Sequence, residues 1–330
     1  MRILHIGLGP LGKMIARDIA VRHIGHLVGV VDRDPDLTGR SLAEIIDGAD
    51  PSIQIAPSVD QVGLGQPIDA AIVTTSSDLA ACAPVFRKLL GHGIAVVSTC
   101  EELLFPFLRH ADLAQELDML AKENNSRLLG TGVNPGFLMD TLPVLVSSVC
   151  RGIEKIEVWR IQDASSRRLP FQKKIGAGLT QDQFDLHANN GTLRHVGLGE
   201  SLHFIAQAVG ITLSDWDESL EAVKAQAQHD SPLGPIGQGD IAGVRQIARG
   251  WDESGQRVRL EFVAAIGQAD PHDRIRIQSD PPIDLVLRGG VHGDIATTAV
   301  TLNVLAPLLA SPPGLHTMRT IPLPSCRYHA

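Results

Sequence analysis

Several hallmarks of other protein classes are scarce or missing in this sequence of 330 residues. Its four cysteines (Cys82, Cys100, Cys150 and Cys326) lie far apart without a C-x-x-C pair, which argues against a disulfide framework and against a zinc site. Histidines and carboxylates show no metal-ligand spacing either, so we expect no bound metal. The longest apolar runs are too short for a membrane span, so we expect no membrane partner.

Basic residues are outnumbered by acidic ones, which gives a formal net charge of -8. That balance argues against nucleic acid as a partner. The sequence contains no G-x-S-x-G segment and no Cys/His arrangement of the kind that hydrolases use. What remains is a chain whose hydrophobic share of 44% can form sizeable cores. Its length suits two domains of roughly 150 residues each.

Short apolar segments alternate with longer amphipathic ones over residues 1–134. Strands are predicted at residues 2–6, 27–31, 53–56, 70–74, 95–98 and 127–130, and helices at residues 11–22, 42–47, 79–90 and 111–124. This α/β order is typical of a Rossmann-type doubly wound parallel sheet with helices on both faces. Residues 1–134 are therefore predicted to form a first domain of the Rossmann type.

The pattern changes after residue 134 and indicates a second, α+β domain over residues 135–292, for substrate binding and dimerisation. Helices are predicted at residues 135–149 and 201–209, and strands of an antiparallel sheet at residues 153–161, 244–252, 258–266 and 274–278. A helix at residues 294–309 is expected to return to the first domain, so residues 293–330 form a C-terminal helix and tail that pack there.

Location and assembly follow from general tendencies. The first residues already form the first predicted strand, so we expect no signal peptide and a cytoplasmic protein. The second domain's sheet offers a dimerisation surface, and homodimers are the commonest assembly, so a homodimer is expected.

Residues 7–12 read G-L-G-P-L-G and join the first predicted strand to the first helix. Gly7 permits the tight turn, Gly9 lets the backbone approach a pyrophosphate, and Gly12 lets helix and strand pack closely. The helix start at Pro10 and Leu11 offers N–H groups and a positive dipole to the diphosphate. An ordinary glycine turn is the alternative, but strand, turn and helix together favour a dinucleotide site. Residues 1–134 are therefore predicted to be an NAD(P)-binding Rossmann domain.

Asp32 ends the second predicted strand about 20 residues after the last glycine, where a ribose-binding acid is expected. An acid there favours NAD, whereas the adjacent Arg33 can pair with the 2′-phosphate of NADP or simply be an exposed turn residue. We expect NAD to be preferred, with use of both cofactors left open.

Hydroxyl and acidic side chains follow the next two predicted strands. The hydroxyls of Thr74, Thr75 and Ser76 are expected to line the cofactor groove, with Ser77 as the cap of the following helix. Glu101 and Glu102 should face the cleft where the nicotinamide lies, and an acid there can accept a proton from the reacting group. The alternative is that both sit in the first turn of a helix and are favoured by its dipole.

Two further residues lie in glycine-containing loops. Asn134, in the segment GTGVNPG, can bring its amide to a ligand or cap a helix. His195 stands in a glycine-flanked loop that leaves it able to face a cleft, although most of the 13 histidines are expected to be surface or structural.

Three segments together resemble the 2,4-diaminopentanoate dehydrogenase family, whose relatives include native amine dehydrogenases. They are S-T-C-E-E at residues 98–102, GTGVNPG at residues 130–136 and DASSRRLPFQKKIGAG at residues 163–178. The segments H-V-G at residues 195–197 and G-D-I-A-T at residues 293–297 also fit, so the resemblance covers nearly the whole chain. The first domain is similar to that of dihydrodipicolinate reductases.

The resemblance implies NAD(P)-dependent oxidative deamination of an amine or diamino acid to a ketone and ammonia, reversible as reductive amination. It implies that Glu101 or Glu102 contacts the reacting amine, and both stay candidates. It also implies that Arg160, Gln172 and Lys173 lie near the substrate pocket, and that His195 contributes to its wall. If Arg160 and the lysines point into the cleft, an amino acid fits; if they are ion-paired, a simple amine or ketone fits better.

Two other functions remain open. One is imine reduction of the dihydrodipicolinate reductase type; that family carries an H-H-R-x-K type motif, which is missing here, although Arg167-Arg168 and Lys173-Lys174 could bind acids. The other is a non-catalytic dinucleotide sensor, because a fold by itself never proves catalysis. NADH binding without turnover of any amine or ketone would favour the sensor.

Overall fold

The computed structural model describes residues 1–167 and 169–326. The chain divides into two compact units, one made of Met1–Phe137 with His292–Ala330 and the other of Leu138–Val291. Arg168 of the basic segment and residues 327–330 of the tail lie outside the described residues. None of the helices in the described part combines the length and apolar character needed to cross a bilayer.

The first unit begins with the predicted alternation of buried strands and amphipathic helices. Its strands are β1 (Arg2–Ile6), β2 (His26–Val31), β3 (Ile55–Ala56), β4 (Ala70–Val73), β5 (Ala95–Ser98) and β6 (Arg127–Gly130), and its first helices are α1 (Pro10–Arg22), α2 (Leu79–Gly91) and α3 (Ala111–Glu123). All residues of β4 and β5 are buried, as expected for parallel strands covered on both faces.

The helix predicted at residues 42–47 is wrong. Only a 3-10 turn, Leu42–Glu44, forms there. Ser41 and Glu44 close a capping box that starts the turn, and Gly48 at φ +80° takes the chain out of the helical region.

The described residues of the second unit form one six-stranded sheet and four helices. The elements are α4 (Thr141–Val146), β7 (Ile153–Asp163), α5 (Leu169–Lys174), α6 (Gln181–Asn189), α7 (Leu198–Val209), β8 (Asp215–Lys224), β9 (Ile241–Asp252), β10 (Gly255–Ala265), β11 (His272–Ser279) and β12 (Ile283–Arg288). The strand order is β12-β11-β7-β10-β9-β8. The predicted antiparallel sheet is wrong at one pair, because β7 and β10 run parallel. The long connection through α5–α7, β8 and β9 permits that arrangement, since parallel strands need a crossover.

The helix predicted at residues 135–149 is also wrong in its start, because α4 begins at Thr141. Gly136 has a φ of +134°, far outside the helical region, so the chain turns before the helix forms. Asp140 then caps α4, since its Oδ1 accepts the N–H of Thr141 at 2.6 Å.

One face of the second unit's sheet forms its core. Along β7, the side chains of Ile156, Val158 and Arg160 are buried in alternation with more exposed neighbours. Ile156 and Val158 belong to an apolar cluster that includes residues of α7 and β10, such as Leu202 and Leu260. Arg160 is therefore a buried cation on the covered face of the sheet.

The chain then returns to the first unit through α8 (Gly293–Asn303), α9 (Leu305–Leu309) and β13 (Gly314–His316). The single helix predicted at residues 294–309 is interrupted at Val304. Helix α8 packs against α1, and β13 pairs in parallel with β6. The first sheet thus has the order β13-β6-β5-β4-β1-β2-β3. The predicted fold, a Rossmann-type sheet with a second α+β domain and a returning C-terminal helix, is confirmed.

Candidate active site

The turns after five neighbouring strands of the first sheet form one row. The carboxyl ends of parallel strands lie at one edge, where ligands bind in open α/β sheets. Following the order β6-β5-β4-β1-β2, this edge carries Asn134, Glu101, Thr74, Gly7 and Asp32. Each of these residues was expected at the cofactor or the reacting group.

The glycine turn after β1 can be tested for its fit to a dinucleotide. Gly7 has a φ of +99°, and a Cβ on Gly12 would lie 1.9 Å from the carbonyl oxygen of Gly7. A Cβ on Gly9 would meet nothing within 4 Å. Helix α1 starts at Pro10, so the N–H groups of its first turn, beginning with Leu11, have no acceptor within the helix. Two glycines are thus required for packing, and Gly9 keeps an open approach that fits a pyrophosphate.

Asp32 is held at the end of β2 by two backbone groups. Its Oδ2 accepts the N–H of Leu8 at 2.5 Å, and its Oδ1 accepts the N–H of Asp34 at 2.8 Å. The first bond ties the end of β2 directly to the glycine turn. Asp32 is half-buried and Arg33 is exposed, as a ribose-facing acid and a neighbouring surface cation would be.

The hydroxyls after β4 are engaged within the chain. Thr74 donates its hydroxyl to the carbonyl of Gly7 at 2.9 Å, so it braces the glycine turn. The hydroxyl of Thr75 lies 3.7 Å from the sulfur of Cys82, and Ser76 accepts the N–H of Asp78 at 3.1 Å. The expectation that Ser77 caps α2 is wrong: Asp78 is the cap, and its carboxylate accepts the N–H of Ala81 at 3.0 Å.

Glu101 and Glu102 begin a 3-10 turn, Glu101–Leu104, directly after β5. The side chain of Glu102 connects its turn to two other segments of the chain. Its Oε2 accepts the N–H of Leu79 at 2.9 Å, at the start of α2, and lies 2.9 Å from Nε2 of His110. Its own N–H donates to the carbonyl of Ser77 at 3.3 Å.

The two acids therefore differ in their surroundings. The side chain of Glu102 is only 12% exposed in its pair with His110. Its carboxylate also accepts a backbone N–H at the start of a helix, and that helix is α2, not the turn to which Glu102 itself belongs. Glu101 is half-buried on the adjacent position of the same turn. His110 was not singled out in the sequence, because eight residues and a second 3-10 turn separate it from Glu102.

A buried histidine lies in β1, immediately before the glycine turn. His5 is 0% exposed, and burial lowers its pKa to about 4 against the opposing influence of the Gly7 and Gly12 backbone. The ring is therefore neutral near pH 7. His5 interrupts an apolar strand, which could have drawn attention to it in the sequence, but this pattern does not distinguish a core histidine from a ligand-binding one.

In the second unit, Arg160 is satisfied internally. Its Nη1 donates to Oδ1 of Asp273 at 2.6 Å, and its Nη2 donates to the carbonyl of Val291 at 3.1 Å. The side chains of Arg160 and Asp273 are 2% and 7% exposed. Burial lowers the pKa of Arg160, while Asp273 acts in the opposite direction. Asp273 faces Arg160 across β11 and β7, a partnership between residues too far apart in sequence to predict.

The other predicted residues of this unit have different surroundings. Gln172 is 0% exposed, and its Nε2 donates to the carbonyls of Ala164 at 2.9 Å and Ser165 at 3.2 Å. Lys173, the next residue of α5, is exposed. The N–H of His195 donates to the side chain of Gln246 at 2.7 Å.

The ring of His195 is also fixed by packing. It stacks on the ring of Phe262, with centroids 4.5 Å apart. Gln246 returns a second bond, from its Nε2 to the carbonyl of His195 at 2.9 Å. Gln246 and Phe262 face each other on β9 and β10. His195 therefore lies over the same sheet face that carries Arg160, whose backbone pairs with Phe262.

Comparison with known proteins identifies relatives along the whole chain. A family model described as the 2,4-diaminopentanoate dehydrogenase C-terminal domain matches residues 137–329. The chain is 29% identical over 332 residues to the 2,4-diaminopentanoate dehydrogenase of Acetoanaerobium sticklandii, covering 98% of this chain and 94% of that protein. It is 23% identical over 347 residues to an amine dehydrogenase of Streptomyces virginiae, covering 96% and 95% of the two chains.

A solved structure shares the fold. The amine dehydrogenase from Mycobacterium smegmatis superposes with a TM-score of 0.87 at 21% sequence identity, covering 99% of this chain and 97% of that one. The family resemblance that the three sequence segments indicated is confirmed by the family match.

Proposed function

The chain belongs to the 2,4-diaminopentanoate dehydrogenase family, and on that premise we propose that it is an NAD(P)-dependent amine dehydrogenase. The reaction is the oxidative deamination of an amine to a ketone and ammonia, and in reverse the reductive amination of the ketone. The observation that carries the proposal is the pair Glu101 and Glu102 on the turn after β5, at the same sheet edge as the glycine turn.

The cofactor follows from the first unit. The glycine turn and the first turn of α1 would hold the diphosphate, and Asp32 would bind the adenosine ribose. When bound, the nicotinamide supplies the acceptor or donor of a hydride. We propose NAD as the preferred form because Asp32 is fixed by two backbone bonds at the strand end. The exposed Arg33 keeps NADP open as a second cofactor.

Glu101 is the residue we propose as the base. An ammonium group must lose a proton before hydride can leave its carbon, because the nitrogen lone pair drives that departure. A carboxylate within about 3 Å can take the proton and then stabilise the positive charge that develops at nitrogen. The carboxylate of Glu102 already binds the start of α2 and His110. We therefore assign Glu102 the role of a positioning residue that fixes the turn carrying Glu101.

The substrate we propose is a simple amine or ketone rather than a diamino acid. A substrate carboxylate needs a cation, and the guanidinium of Arg160 is buried and bound to Asp273. Lys173 is exposed, so a diamino acid, the substrate class in the name of the Acetoanaerobium relative, is the second candidate. Gln172 and His195 would shape the pocket, since the amide nitrogen of Gln172 and the backbone N–H of His195 are held by hydrogen bonds within the unit.

A screen of NADH and NADPH consumption tests the function. With ammonia present, simple ketones should give turnover, and keto acids or amino ketoacids should give less. Glu101→Gln should lower kcat by about 10²- to 10⁴-fold with NADH binding intact, as for loss of a general base. Glu102→Gln is the matched variant, and it should retain more activity because its amide oxygen can still accept the N–H of Leu79.

Three results would contradict the proposal in different ways. If both variants keep full turnover, no base is present on this turn. If Glu102→Gln is the inactive variant and Glu101→Gln is not, the two roles are reversed. Binding of NADH without turnover across amines, ketones and imines would instead favour a dinucleotide sensor.

A homodimer in the cytoplasm is the assembly and location that we propose. The support is the open sheet of the second unit, whose side chains opposite the core include Trp159 and the 42%-exposed Val286. Two-fold dimers are the commonest closed assemblies. Light scattering of the purified protein should give twice the mass of one chain, and a mass of one chain would overturn the dimer.

A further inference from the structure

Two thiols lie side by side next to the turn that carries Glu101. The Sγ of Cys100 donates to the carbonyl of Ser77 at 3.2 Å, and the Sγ of Cys82 donates to the carbonyl of Ser76 at 3.6 Å. Because Ser76 and Ser77 are consecutive, their carbonyls hold the two sulfurs in one small region. Each thiol is also the main influence on the pKa of the other. Cys82 belongs to α2, and Cys100 directly precedes Glu101.

We propose that Cys82 and Cys100 form a redox-sensitive pair, which hydrogen peroxide converts into an intramolecular disulfide. The sulfur of Cys82 attacks the peroxide O–O bond, giving a sulfenic acid and one water. The sulfur of Cys100 then attacks that sulfenic sulfur, which forms the S–S bond and releases the second water. The two sulfurs together supply two electrons to one peroxide, and both thiol protons end in water.

The two cysteines are suited to different steps. The neighbouring thiol of Cys100 is the main influence that lowers the pKa of Cys82 to about 7, and the hydroxyl of Thr75 adds to it. The pKa of Cys100 is raised by Cys82 and by burial. Because a thiolate is the reactive form, Cys82 is the attacking residue and Cys100 the resolving one.

Burial determines which oxidant can react. Cys82 and Cys100 are each 1% exposed. Hydrogen peroxide is only slightly larger than water, whereas glutathione disulfide is a bulky tripeptide dimer that cannot approach a sulfur covered to this extent. The pair should therefore respond to peroxide and resist glutathione disulfide.

Disulfide formation should change the active-site turn. Both thiol bonds to the carbonyls of Ser76 and Ser77 are lost with the protons. The sulfurs must also approach to about 2.05 Å, which moves the residue next to Glu101. A displacement of about 1 Å at a catalytic group can lower a rate by 10²-fold, so we expect activity to fall at least about tenfold. This consequence rests on the proposed function, whereas formation of the disulfide does not.

The test uses the full chain with Cys150→Ser and Cys326→Ser, which leaves two of the four cysteines. Peroxide should remove both thiols that can be titrated after denaturation and lower the intact mass by two hydrogen atoms. Peptide mapping without reductant should then join the segments that contain Cys82 and Cys100. Amine turnover should fall in step with the disulfide and return with dithiothreitol.

Adding Cys82→Ser gives the matched control, since it keeps the same methionines and the catalytic turn. Under peroxide it should form no disulfide and keep its own initial turnover. Two persistent thiols in the parent, or oxygen adducts without cross-linking, would overturn the pair. Equal reversible inactivation of the control would overturn the link to activity. If the protein has no amine turnover at all, the mass and thiol measurements still decide the disulfide.

Discussion

The two units place their polar residues in different surroundings. In the first unit, Asp32 and Glu102 stand on turns after strands, and each accepts backbone N–H groups while staying partly exposed. In the second unit, Arg160 and Gln172 lie under covering elements and are buried almost completely. Their donors are used by Asp273 and by backbone carbonyls.

The difference in burial arises from the position of each residue on its sheet. A residue on a turn after a strand can form hydrogen bonds with the protein and still be exposed at the edge of the sheet. It can therefore be held in place and also bind a ligand. A residue on a covered sheet face has lost water, and its polar groups must find partners inside the protein. A motif residue that resembles a substrate ligand can therefore be part of the core.

The largest effect is expected when the buried ion pair between Arg160 and Asp273 is broken. Arg160→Met leaves the carboxylate of Asp273 buried without its cation and should lower the free energy of unfolding by about 3–5 kcal/mol. The double variant Arg160→Met/Asp273→Leu should recover much of that loss, because no charge is left unpaired. Urea unfolding measures both. A loss below about 1 kcal/mol in the single variant would show that the pair is not desolvated.

The next effect concerns His5, a titratable residue of the first unit that is completely buried. Its pKa is about 4 when folded, compared with about 6.5 when unfolded. The unfolded chain therefore binds more protons between these values, and stability should fall as the pH drops from about 6.5 to 4, by about 3 kcal/mol.

Replacing His5 by Leu should remove this part of the pH dependence. Unfolding by urea at a series of pH values measures it, with the exposed His26→Gln as the matched control. An unchanged pH dependence in His5→Leu would mean that the ring has the same pKa in the folded and the unfolded chain, and would contradict the prediction.

The smallest effect is expected at Asp32 and Arg33, the partly exposed residues after β2. Asp32→Asn should weaken NADH binding roughly tenfold and NADPH binding less, because the variant removes a negative charge from the vicinity of the 2′-phosphate. Arg33→Ala should weaken NADPH alone. Fluorescence titration with each cofactor gives the affinities. Equal losses for both cofactors in Asp32→Asn would point to a damaged glycine turn, since Asp32 also binds Leu8.

The same distinction explains how far the sequence could predict the molecule. The positions of Gly7 and Asp32 directly after β1 and β2 were predictable because the local pattern of apolar residues indicates where each strand ends. The register of Arg160 with Asp273 and the bond between Glu102 and His110 depend on contacts between distant segments, which no local pattern contains. Strands β8 and β12 were missed because their alternation is half-buried and mixed with charge. The parallel pairing of β7 with β10 depends on a crossover of about 90 residues, and only the three-dimensional fold determines it.

The strand β13 links the completion of the first sheet to the order of synthesis. It is added beside β6 from residues 314–316, after the whole second unit has been translated. On the ribosome, the uninterrupted segment Leu138–Val291 has all its strands available before the dinucleotide sheet receives its edge strand. A nascent chain stopped before β13 exposes the edge of β6, which makes this stage the one most open to wrong pairing with another chain.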